Sequence, residues 1–267
     1  MAERDSGSTS DEGRVRTDVV ACLVELDRHG LNVGTAGNVS ARCGNGVLVS
    51  PSGLPVEQIG ADDIVLLDVD GRVVTGHRAP TSEWRLHVEV LRARPDIGAV
   101  VHTHSPECTA VAVNGRALPA VHYVIARAGG TIVPCAPYAT YGTPELAAHV
   151  VEMLGASYDA CLLANHGMIA LGSSLTSALR LARDLEWAAG VYRRAQAYGD
   201  PIILSDEDMQ RVAEQFRRYG QPPAELRVRR GPRPRARPAV SSHGEFAPVL
   251  VLVDLAANHL TVELGDR

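Results

Sequence analysis

Short strand-like runs alternating with helical stretches predict an α/β fold: one domain with a central, mainly antiparallel sheet flanked by helices. Three observations carry this expectation. Apolar residues Val15, Val19, Cys22, Leu23 and Leu26 recur at intervals of three and four, the period of an amphipathic helix. Short runs at 46–50, 64–68 and 72–75 are separated by turns, the last by Asp70-Gly71, as in antiparallel strands. No internal repeat interrupts 13–220, so a single domain is expected there.

Element by element, residues 1–12 are small and polar without apolar period, and are expected to be disordered. The helix from Arg14 to His29 ends at Gly30. Gly34 to Ser40 is a loop of small residues. After the three short strands, Thr81-Ser82 opens a helix to about Arg94, with Pro95 beyond it. Gly98 to His104 is a strand, Pro106 to Val113 a short helix, and Thr131 to Cys135 another strand. Thr143 caps a helix over Pro144 to Leu154. Asp159 to Ala164 is a buried strand delivering Asn165-His166-Gly167. Helices follow from Leu175 to Tyr198 and from Ser205-Asp206 to Tyr219. In the extension, 221–267, arginines 227, 229, 230, 233, 235 and 237 alternate with prolines that forbid regular structure. An apolar run from Ala247 to Leu255 then suggests a terminal strand. A linker with a docking strand is one reading of this tail, an anion-binding segment the other.

Composition narrows the function. The chain has 267 residues, 45% hydrophobic, enough for a sizeable core. Only two Phe and two Trp occur, so aliphatic side chains must fill it. A net charge of -5 gives no electrostatic footprint for nucleic acid. No apolar run approaches the roughly 18 residues of a membrane span, and no secretory signal is visible at the start. Cys22, Cys43, Cys108, Cys135 and Cys161 are scattered without a C-x-x-C pair, which suggests free thiols in a reducing cytoplasm.

All 26 basic residues are arginine. Without lysine, no side-chain amine can form a Schiff base with a carbonyl substrate. Histidines suggest a metal in that role. His102 and His104, two apart in a strand, project from one face and emerge after the apolar Ala99-Val100-Val101. His166 likewise ends an apolar run, followed by Gly167, which permits close approach. Three histidines with an open or carboxylate position make a catalytic zinc site. Glu83, at a helix start, is the best fourth candidate, although the helix dipole alone would favour a carboxylate there. The other seven histidines, at 29, 77, 87, 122, 149, 243 and 259, lack such settings and read as ordinary surface or core residues. The helix turn at Ser82, the Gly34–Ser40 loop and Ser50-Pro51-Ser52-Gly53 offer free N–H groups. They form an anion cradle only if they converge on one place.

Six ordered motifs bring these residues together: 30–32 (Gly-Leu-Asn) with Gly34-Thr35-Ala36-Gly37-Asn38-Val39-Ser40, Ser82-Glu83-Trp84-Arg85, His102-x-His104, His122-Tyr123 with Ala128-Gly129-Gly130, Pro134 through Thr140, and His166-Gly167. Over Thr17 to Gly220 the chain resembles the class II aldolase/adducin-like family, and within it the aldolase branch. The resemblance implies the family's three-layer fold. It implies Zn2+ on Glu83, His102, His104 and His166, and a substrate phosphate surrounded by Thr35, Gly37, Asn38, Gly53, Thr81 and Ser82. It implies a homotetramer with sites between subunits, to which Tyr123 comes from a neighbour and Tyr219 from the mobile C-terminal region. The implied activity is reversible cleavage of a short ketose 1-phosphate to dihydroxyacetone phosphate and a small aldehyde, with Glu83 and Tyr123 moving protons. Other activities of the fold are a pentulose-5-phosphate 4-epimerase, a pentulose-1-phosphate dehydratase and a metal-free adducin-like structural module. The intact Glu and His set argues against the last. Thr81, Tyr141 and Asn165 depart from the serine, phenylalanine and histidine of the pattern, and the tail has no counterpart in it.

Overall fold

A computed structural model describes residues 6–219, with side chains from Asp11 onward. The arginine- and proline-rich stretch and the apolar run at 247–255 lie outside the described residues. The first helix, α1 (Ser6–Arg28), begins earlier than its apolar period, so residues 6–12 are helical rather than disordered. What holds this polar turn is pairing at helical spacing. Arg14 meets Asp11 at 2.5 Å, and Arg16 meets Glu12 at 2.7 Å while reaching Thr75 Oγ1 at 2.9 Å.

Eight strands form one sheet: β1 (Asn38–Cys43), β2 (Gly46–Val49), β3 (Val65–Leu67), β4 (Val73–Thr75), β5 (Ala99–Thr103), β6 (Cys135–Ala136), β7 (Ala160–Leu163) and β8 (Gly167–Gly172). Their spatial order is β4-β3-β2-β1-β5-β8-β7-β6. Every pairing is antiparallel except β6 with β7. Between the strands come α2 (Trp84–Ala93), α3 (Pro106–Ala112), α4 (Pro144–Leu154), α5 (Leu175–Gln196) and α6 (Asp206–Arg218).

Alternation along the strands makes three layers. Ala99, Val101, Leu162, Met168 and Ala170 face one way and pack with α1, α3 and α5. Val100, Cys161, Leu163, Ile169 and Leu171 face the other way and pack with α2 and α4. Among the described residues the largest fully buried side chains are Leu, Ile and Met, the aliphatic core that the composition required.

Two strands were not anticipated, and both matter. β1 occupies the end of the supposed small-residue loop, where Asn38 and Ser40 are buried polar residues without β propensity. β8 has glycine at both ends and is buried on both faces, so no alternation marks it. Together they flank β5. Asn38 sits opposite His102 in one ladder, and His102 opposite Ile169 in the other. The expected strand at 131–135 shrinks to Cys135–Ala136 at the sheet edge, beyond an isolated bridge between Leu118 and Val133.

Gly167 lets β8 approach β5 closely. A Cβ there would lie 2.3 Å from the Thr103 carbonyl oxygen and 3.3 Å from His104 Cδ2. Before it, Asn165 takes the left-handed φ of 55°, which asparagine tolerates better than most side chains. This turn aims His166 back toward β5.

Ile169 is fully buried in β8 against α2 and α4. Ile169→Ala is expected to cost about 2–5 kcal/mol, because the packed layer cannot close the cavity. The measurement is the denaturant midpoint of the variant against the wild type; an unchanged midpoint would mean that this layer is loosely packed.

Candidate metal centre and anion cleft

β5 ends in His102 and Thr103, and His104 follows directly. Glu83 stands at the N-terminus of α2, with its N–H on Thr81 Oγ1 at 3.3 Å. His166 comes from the turn between β7 and β8. Three separate parts of the sequence thus meet at one end of the sheet. Ligand atoms of Glu83, His102, His104 and His166 all lie within 4.8 Å of one another. The three imidazoles stand edge-on to each other, with centroids 4.8 to 5.0 Å apart.

The donor set fits a metal on internal grounds. His102 Nδ1 donates to the Met168 carbonyl at 2.9 Å, which turns Nε2 inward. That Nε2 lies 3.2 Å from Glu83 Oε2 and 3.1 Å from His104 Nε2. Ligands of a tetrahedral zinc at about 2.0–2.1 Å would sit about 3.3 Å apart. His166 Nε2 is 3.4 Å from Glu83 Oε1, a buried oxygen with no hydrogen-bond donor. Lone pairs packed this closely attract only with a cation among them, either a proton or a metal ion.

Electrostatics agree. Burial, followed by repulsion from a charged His102, pushes His104 and His166 down to about 4, so both are neutral donors at neutral pH. Burial also depresses His102, but the Glu83 charge outweighs it and the net shift is upward. Burial would raise Glu83; the charge and hydrogen bond of His102, with Asn38 and His166, hold it below the usual carboxylate range instead.

A cleft of about 380 Å³ opens beside the cluster. Thr35, Gly37, Asn38, Gly53, Thr81 and Ser82 line it, together with Glu83, His104 and His166. The small-residue loops do converge. Backbone bonds stitch them together: Thr81 N–H on the Ser50 carbonyl at 2.9 Å, Ser50 N–H on the Val39 carbonyl at 3.0 Å. Gly37, at φ +83°, lies so close to Asn32 that a Cβ would come within 2.1 Å of its side-chain oxygen. Tyr138 and Tyr141 form a further, exposed wall.

Tyr123 and Tyr219 are not in this cleft. They share a second one of about 620 Å³ with His122, Arg127, Trp187 and Phe216, and both are largely exposed.

One residue passed over in the sequence belongs to the centre. His87, one helical turn after Glu83, is fully buried with Nε2 2.5 Å from Asn38 Oδ1 and Nδ1 2.8 Å from Ser40 Oγ. Asn38 Nδ2 in turn donates to Glu83 Oε2 at 3.0 Å. The i,i+4 spacing of Glu83 and His87 was the available signal; it places both on one helix face.

Residues 17–193 match the family model of the class II aldolase and adducin N-terminal domain. L-fuculose phosphate aldolase of Escherichia coli (strain K12) is 44% identical over 211 residues, 79% of this chain and 97% of the relative. The 5-methylthioribulose-1-phosphate/5-deoxyribulose-1-phosphate aldolase of Rhodospirillum rubrum is 47% identical over 206 residues, 77% and 92% of the two chains. A solved L-fuculose 1-phosphate aldolase superposes with a TM-score of 0.73 at 39% identity, covering 76% of this chain and 96% of that one.

These shifts predict a fold that becomes acid-labile once metal is removed. Above pH 6.5 the histidines at 87, 104 and 166 are neutral folded or unfolded and contribute nothing. Below it the unfolded chain binds protons that the fold refuses until about 3 for His87 and about 4 for the others. His102 acts in the opposite sense, one against three. Chelator-treated protein should therefore lose stability as pH falls from 6.5 toward 4, with net proton uptake on unfolding. Denaturant titrations across that range would show it; a flat profile would contradict the assigned neutral states.

Proposed function

Since the chain belongs to the class II aldolase and adducin family, we propose that it is a zinc-dependent aldolase. In this reading it reversibly cleaves a short ketose 1-phosphate to dihydroxyacetone phosphate and a small aldehyde. The substrate is L-fuculose 1-phosphate-like or a 5-deoxypentulose 1-phosphate, the classes named by its relatives. One observation carries the proposal: a cleft of small, N–H-rich loops opens directly onto a Glu/His₃ cluster. A phosphate held in the loops would present the adjoining carbons to the cluster.

Glu83, His102, His104 and His166 would hold the ion, which supplies Lewis-acid polarisation of the carbonyl in place of the absent lysine. Thr35, Gly37, Asn38, Gly53, Thr81 and Ser82 bind the phosphate, and that remote binding energy orients the reacting bond. Glu83, an ionised member of the cluster, exchanges a proton with the carbon left by cleavage. Tyr123 from a neighbouring chain hands a proton to or from the C4 oxygen. Tyr219, at the end of α6, closes over the site and excludes water. The assembly in this reading is a homotetramer with sites between chains, in which a neighbour supplies Tyr123. Five free cysteines and the absence, among the described residues, of a membrane-crossing helix suit a cytoplasmic enzyme. The extension at 221–267 is an appended segment beyond the catalytic domain, 13–220.

A panel of ketose 1-phosphates assayed for dihydroxyacetone phosphate tests the reaction. At least one member should yield it, and chelation should abolish the yield until zinc is restored. Turnover in a rigorously metal-free preparation would overturn the proposal.

Glu83→Gln is expected to keep the fold and most of the metal but to lose activity on the order of 10²–10⁴-fold. His102→Ala should lose the metal itself, seen as metal per chain after gel filtration. Near-normal turnover of zinc-loaded Glu83→Gln would reduce Glu83 to a helix-end carboxylate.

Mixing Tyr123→Phe with His102→Ala chains should restore part of the activity that each lacks, because some interfaces then combine an intact cluster with an intact tyrosine. No recovery in verified mixed oligomers would show that each chain carries a complete site.

A further inference from the structure

We infer that His87 is a positioning residue for this centre, acting through Asn38 as one end of a directional hydrogen-bond chain: Ser40, His87, Asn38, Glu83. The direction follows from what each group can donate. An ionised carboxylate only accepts, so the side chain of Asn38 must present Nδ2, at 3.0 Å, to Glu83 Oε2. Its Oδ1 then faces His87 Nε2 at 2.5 Å and requires a donor there, so Nε2 carries the proton. His87 Nδ1 is left bare and accepts a hydrogen bond from the Ser40 hydroxyl, 2.8 Å away. Glu83 thereby fixes every hydrogen in the chain.

The chain has structural force because none of it can relax into water. Ser40 and His87 are fully buried, and Asn38 and Glu83 are 5% exposed each. An amide whose two ends look alike could flip and present its oxygen to the carboxylate. The Nε2–H of His87 penalises that flip, since Nδ2 would then meet a second donor. His87 therefore keeps Asn38 donating, and Asn38 keeps Glu83 Oε2 turned toward His102 while Oε1 faces His166. The path also joins the two halves of the site, since Asn38 lines the anion cleft. His87 is not a member of the cluster and does not itself line the cleft; through Asn38 it acts on the orientation of the groups that do.

Solid-state NMR of ¹⁵N-histidine-labelled full-length protein reads the tautomer directly, with the His87 signals identified by their absence from His87→Gln. A protonated Nε2 and bare Nδ1 are expected; a protonated Nδ1 overturns the inference. Ser40→Ala removes only the donor to Nδ1 and should leave Nε2 protonated, because Asn38 Oδ1 still demands a donor. A switch to protonated Nδ1 would show that Ser40, and not Glu83, sets the tautomer, and would overturn the inference. The kinetic arm rests on the aldolase reading. His87→Leu should lower kcat about 10–100-fold with little change in KM, and His87→Gln, which keeps a donor, should recover part of it. On an Asn38→Ala background His87→Leu should cost nothing further. A full loss on that background, or none in the wild type, would show that His87 merely fills space. If His87→Leu does not fold, the wild-type tautomer and the Ser40→Ala spectrum decide alone. Because the tautomer needs no substrate, its failure is distinguishable from failure of the aldolase assignment.

Discussion

The centre is organised around one costly act, the burial of the Glu83 carboxylate among apolar layers. An unpaired ion there would be expelled or protonated. It is retained because one oxygen meets Asn38 and His102 and the other faces His166. Each partner comes from a different element, so the carboxylate meets all of them only when β1, β5, the β7–β8 turn and α2 are in register. A slip of one residue in β1 would turn Asn38 to the opposite face of the sheet and leave the charge stranded. The middle of the sheet, β1-β5-β8, is for this reason as much an electrostatic object as a hydrophobic one.

Much of this was legible in the sequence, and what was not has particular physical causes. His102 and His104 announced themselves because strand period puts them together at the end of an apolar run. The helices α2, α4 and α5 were readable from caps and apolar stretches. α1 was started too late, since a turn held by Arg14 and Arg16 ion pairs leaves no apolar trace. β1 was hidden because the site itself places polar Asn38 and Ser40 where a strand would carry valine. β8 was hidden because a strand covered on both faces has no alternation to detect. The loops around Thr35 and Gly53 could be named, but their meeting with Ser82 depends on distant pairings such as Thr81 with Ser50 and Ser52 with Ala79, to which local pattern is blind. The domain boundary, the site roles and the tail remain expectations of the sequence and of the family resemblance.

The same geometry explains why His87 escaped notice. Sequence pattern marks an imidazole on an apolar helix face as core filling, and by burial that is what His87 is. Its importance comes from hydrogen-bond polarity, which is invisible in a residue-type pattern. It emerges only when a group restricted to accepting stands at one end of a buried chain.

The two tyrosines on the cleft wall carry a different implication. Tyr138 and Tyr141 are 61% and 65% exposed, on the loop between β6 and α4, outside the hydrogen-bonded centre. Exchange at such positions is nearly neutral for folding, typically within about 0.5 kcal/mol. The shape of that wall is thus free to drift under selection while the buried machinery stays constant. A lineage carrying this scaffold can reshape the mouth of its cleft one surface residue at a time, without crossing a stability valley.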